Sequence, residues 1–160
     1  MRKMKNLILI LLLFPFCLFA QTNKVQIKLN DSIILTLEKS DIKLTSQKVD
    51  YYKTFPIGIN GELIFGTDGE FPKSQLTKAE LKIGLKTYNL EISGMYNPWS
   101  GSKINEKRIG INQQNGELVL RGIFSDGAGS YGAEWIIFKN SNIRTILSKD
   151  EDIIIGYFQK

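Results

Sequence analysis

The chain has 160 residues, 21 of them Lys or Arg and 16 Asp or Glu, with a formal net charge of +5, one cysteine and no histidine. That length suits one domain with its own core. The missing histidine excludes Ser-His-Asp and Cys-His catalysis, imidazole proton transfer and nearly all zinc or copper sites, and a single cysteine excludes an internal disulfide.

Residues 1–20 read as an export signal. Arg2, Lys3 and Lys5 make a basic start, Leu7 to Phe19 is apolar, and Ala20-Gln21 offers a cleavage point. The domain expected after cleavage is 21–160, in the periplasm or secreted. Lipidation at Cys17 is the alternative, but it calls for small residues where Pro15-Phe16 stand. The apolar run falls short of the ~20 residues of a membrane-spanning helix, and no later run replaces it. No integral span is therefore expected once the signal is gone. Loss of the three leading cations leaves 18 basic and 16 acidic residues, interspersed along the chain, so nucleic acid is not an expected ligand.

In chain order the pattern is β. Val25 to Leu29 and Ile33 to Leu37 alternate apolar and polar around Asn30-Asp31, which predicts a hairpin. Val49 to Phe55 reads as one strand running into Pro56. Asn60-Gly61 between apolar residues predicts a second hairpin, and 66–72 a turn-rich loop. Ser74 to Glu80 has helix-compatible residues but is too short to hold a helix alone, and strand follows from Leu81. Residues 93–101 form a loop that carries Met95, Tyr96 and Trp99 among turn formers. Asn115-Gly116 predicts another hairpin, Leu118 to Phe124 and Tyr131 to Phe138 two strands, and Ile153 to Phe158 a final apolar run. No long window shows a 3.6-residue period. The fold class expected is all-β or nearly so, a single antiparallel sandwich or small barrel built of hairpins.

The stretch 121–144 stands out, because the small-residue loop Ser125 to Ser130 separates two apolar runs. Gly and Ser let a partner approach the backbone, while Tyr and Trp supply rigid contact area. The candidate partner-binding residues are Asp126, Tyr131 and Trp135 here, with Tyr96 and Trp99 in the earlier loop. Each aromatic has a plainer reading: Trp135 as a core residue of a half-buried strand, Trp99 as a plug closing one end of the domain. Glu62, Asp68 and Glu70 admit a carboxylate-only glycosidase or a calcium site, but a solvated Asp-Gly turn also accounts for them, and the full calcium-loop pattern is absent. No catalytic residue, metal site or cofactor is expected.

Size, export signal, β pattern and missing catalytic groups together resemble small periplasmic inhibitor or immunity proteins. That resemblance implies a non-enzymatic domain whose partner is a protein, a toxin or a cell-wall hydrolase. The Ser-Gly-x-x-Tyr motif of the membrane-bound lysozyme inhibitors is not reproduced, since Tyr96 follows Ser93-Gly94 one residue too soon. A small-ligand or glycan-binding β-barrel is the alternative expectation.

Overall fold

A computed structural model describes residues 23–43, 47–101 and 103–157. The export signal expected in 1–20 lies outside the described residues.

The first sheet is antiparallel with four strands in the order β1-β2-β6-β7, namely Lys24–Lys28, Ile33–Asp41, Ser74–Ile83 and Lys86–Asn89. Alternation decides its faces: Ile33, Leu35 and Leu37 of β2 point inward and are buried, while Ile34 between them is exposed. On β6, Leu76, Ala79 and Leu81 are all buried, although Leu76 and Ala79 are out of phase for a regular strand. The β2–β6 register shifts between Glu38 and Lys39, and this bulge puts both on the core face. The sequence suggests helix-compatible residues over Ser74 to Glu80, with strand only from Leu81. The structure corrects this by starting β6 at Ser74, because nine residues of β2 pair with it and override a local preference that is weak in either direction.

The second sheet has the order β11-β10-β9-β8, with β8 Ile109–Gln114, β9 Glu117–Phe124, β10 Tyr131–Ile137 and β11 Asn142–Ser148. Its inner face packs on the first sheet around one apolar core that includes Leu35, Leu81, Leu120, Phe124, Tyr131 and Trp135. Among the described residues the sheets do not close on themselves. The fold is an all-β antiparallel sandwich.

Two further elements complete it. Strands β3 (Val49–Tyr52), β4 (Phe55–Ile59) and β5 (Glu62–Leu63) form a small third sheet. The single strand expected over Val49 to Phe55 is therefore two, because the chain turns at Lys53, whose φ is +55°. The Asn60-Gly61 and Asn115-Gly116 turns form as expected, with φ positive at both residues of each pair. The last apolar run is a short helix, α1 (Glu151–Gly156): Asp150 caps it by accepting from the Asp152 N–H, and Glu151 and Asp152 occupy its first turn. This helix lies across the outer face of β10. Gly132 makes room for it, since a Cβ there would come within 2.9 Å of the Tyr157 ring. No helix among the described residues is long and apolar enough to cross a membrane.

Candidate functional site

Three loops meet at one end of the sandwich. Residue 97 is the tie between the first two: the Asn97 Oδ1 accepts from the Lys73 and Ser74 N–H groups at 2.9 and 3.0 Å, and its Nδ2 donates to the Gly66 carbonyl at 3.0 Å. The third loop joins them through Ser125, whose N–H donates to the Pro98 carbonyl at 2.9 Å and whose hydroxyl reaches the Gly66 carbonyl at 3.5 Å. The Gly66 carbonyl thus accepts two of these five hydrogen bonds. Residue 66 must be glycine: its φ is +99°, and a Cβ would fall 1.9 Å from the Tyr96 carbonyl oxygen. Strain is also held at Asn97 and Ser125, non-glycine residues with φ of +40° and +62°. Side-chain and backbone bonds of this kind fix loop geometry before any partner arrives.

Between the loops and the end of β2 lies an open cleft of about 780 Å³. Asp41, Asp68, Glu70 and Asp126 line it, together with Lys39, Lys73 and Trp99. All four carboxylates are exposed, and among the described residues none stands in an ion pair. Asp126 Oδ2 accepts from the Ser100 hydroxyl at 2.8 Å, a second tie between loops. Lys39 is committed elsewhere, since its Nζ donates to the Trp99 and Gly101 carbonyls at 2.8 and 3.2 Å and sits 4.8 Å from the centre of the Trp99 ring. Burial pulls the Lys39 pKa below its ordinary value, against an opposing pull from Asp41. Lys149, behind the cleft, donates to the Thr67 carbonyl at 2.8 Å, and its pKa is likewise lowered by burial against the influence of Asp68. Lys39 and Lys149 are thus bound to backbone oxygens, while Lys73 and the four carboxylates are exposed.

The residues expected to contact a partner divide sharply. Asp126 lines the cleft and is exposed. Trp99 also lines it but is only 5 % exposed, with Lys39 over its ring, so it closes the end of the core as the plainer reading held. Tyr96 is 6 % exposed and packs with Ile59 and Ile64 beneath the small sheet. Tyr131 and Trp135 are 0 % and 1 % exposed. Phe124 joins them in the core, stacked 5.6 Å from Tyr131 and edge-on 6.2 Å from Trp135, while the indole N–H donates to the Glu91 carbonyl at 2.9 Å. Tyr131, Trp135 and Tyr96, expected as contact anchors, are thus buried in this structure. Inward alternation along β10 puts the first two rings in the core, and in this structure they offer a partner no surface.

What sequence reading passed over is the tip of the β3–β4 hairpin. Tyr51, Tyr52 and Phe55 are 58 %, 62 % and 54 % exposed, and Leu63 beside them on β5 is exposed as well. The hairpin adjoins the cleft wall, for a Cβ at Gly69 would lie 3.1 Å from Cδ1 of Phe55. The available signal was a Tyr-Tyr-Lys-Thr-Phe run with no small-residue loop around it to draw attention. Comparison with protein-family models, curated proteins and solved structures finds no match for this chain.

Proposed function

We propose that this sandwich is a binding domain whose loop cleft receives a basic segment of a protein partner, and that the partner is a toxin or hydrolase which the domain neutralises. One observation carries the reading: four exposed carboxylates, none in an ion pair among the described residues, line a cleft with only two lysines, and one of these, Lys39, is already bound to backbone carbonyls. Complementary charge at such a rim steers association and fixes orientation. The chain's lack of histidine supports a non-enzymatic role, and the export signal read in residues 1–20 would bring the domain to the compartment of secreted enzymes. The cleft volume also falls within the range of small-molecule sites, which keeps a glycan or other small ligand as the second reading.

The test is affinity purification from the native host, followed by calorimetry with the partner recovered. Replacing Glu70 and Asp126 with lysine should weaken the complex at least tenfold, and added salt should weaken the wild-type complex in the same direction. The two tryptophans report separately. The Trp99 indole resonance should shift on binding, whereas that of Trp135 should stay. Unchanged affinity in the double variant would sink the proposal, and a saturable Trp99 shift with cell-wall fragments alone would favour the small-ligand reading.

A further inference from the structure

The β3–β4 hairpin offers a surface that the cleft by itself does not explain. Three aromatic side chains stand in solvent around one turn, where a soluble surface normally scatters its large apolar groups singly. The hairpin is not loose. Tyr52 and Phe55 are cross-strand partners, and Lys53 at the turn lies 5.4 Å over the Tyr52 ring. At the base, the Asn60 Oδ1 accepts from the Lys48 N–H and the Asp50 Oδ2 from the Gly61 N–H, at 3.0 and 3.1 Å. Rigid, two-torsion aromatics on a tied hairpin lose little freedom when they are buried against a partner.

The charge around this tip selects among occupants. Asp68 and Glu70 flank Gly69, the residue against which Phe55 rests, and neither is paired among the described residues. Lys53 at the turn would attract an anionic lipid surface, but these two acids outnumber it and would meet that surface as like charges. We infer that the hairpin tip docks into an apolar pocket on a partner protein whose rim carries Lys or Arg, with Tyr52 and Phe55 filling the pocket and Asp68 and Glu70 meeting the rim. This rests on the protein-binding reading of the cleft and extends that interface onto a second element. Buried aromatic anchors ringed by polar contacts are the usual distribution of energy in such interfaces.

The experiment places the photo-crosslinker p-benzoylphenylalanine at position 55 of the full-length protein in its native cells, and sequences the crosslinked peptides. The expected result is a segment of one other protein with apolar residues flanked by Lys or Arg. With that protein purified, Tyr52→Ser together with Phe55→Ser should weaken binding at least tenfold while the melting temperature stays within about 2 °C. Asp68→Lys with Glu70→Lys should do the same. Crosslinks to a second copy of this chain, to lipid, to an acidic segment, or to nothing would overturn the proposal, as would pelleting of the protein with vesicles of phosphatidylethanolamine and phosphatidylglycerol that the serine pair abolishes. If the lysine variants at 70 and 126 lose the complex while the serine pair binds as wild type, the cleft reading stands and the hairpin proposal falls. If neither set changes affinity, both fall.

Discussion

Strand β10 and the β3–β4 hairpin carry similar aromatic residues and use them in opposite ways. On β10, Tyr131 and Trp135 face the opposing sheet, and the outer face is covered in turn by α1, so even Glu134 is buried. On the hairpin, Tyr51, Tyr52 and Phe55 keep more than half of their surface in water. The difference lies in layering, not composition. A central strand between a sheet and a helix has two apolar walls, whereas the small third sheet turns inward residues such as Ile59, with the adjoining Ile64, to the sandwich and leaves its other face in solvent. An aromatic side chain therefore marks core or contact surface according to what covers it.

The sharpest way to break this comparison is at Trp135. Trp135→Ala removes a ring held edge-on against Phe124 and by the Glu91 carbonyl, and should cost about 4 kcal/mol of stability in denaturant unfolding. Loss below about 1 kcal/mol would mean that the core closes around something other than β10. Next comes the outer face. Arg121 Nε donates to the Glu134 carboxylate at 2.7 Å, both side chains are largely buried, and the Thr145 hydroxyl donates to the other carboxylate oxygen at 2.7 Å. Arg121→Met leaves Glu134 partly unpaired beneath α1 and should destabilise by about 3 kcal/mol, whereas replacing both residues with apolar ones should recover most of that loss.

A smaller effect is expected at alkaline pH. Burial pushes the Tyr157 hydroxyl up to about 12, reinforced by Glu134 and opposed by Arg121. Tyr131, wholly buried, is also raised well above its ordinary value by desolvation. A raised phenol holds its proton in the folded state while the unfolded chain releases it. Stability is thus intact below about pH 10 and falls between about pH 10 and 12. Tyr157→Phe should flatten that decline in melting curves taken across the window, and an identical slope would show that Tyr157 does not contribute to it. The smallest change is at the hairpin: Tyr52→Ser with Phe55→Ser should move stability by no more than about 0.5 kcal/mol, because exposed rings contribute little to the fold. A loss as large as that at Trp135 would make the hairpin part of the core and erase the contrast.

Period-2 alternation and Asn-Gly turns were enough to establish the β class, the hairpins at residues 30, 60 and 115, and the special character of loops 66–72, 93–101 and 125–130, because these are local properties of backbone and side chain. The exposure of Asp126 was legible for the same reason: an acid in a small-residue loop tends to stay in solvent. Tertiary structure decided the rest. The two readings of Trp135 could not be separated without knowing which strand face meets the opposing sheet, nor those of Trp99 without knowing where its loop packs. β6 and α1 depended on pairing with β2 and on the groove over Gly132, contacts made by residues distant in the chain. The cleft exists only because Asn97, Ser125 and the Gly66 carbonyl meet from three separate segments, and no local pattern encodes a contact between residues so far apart.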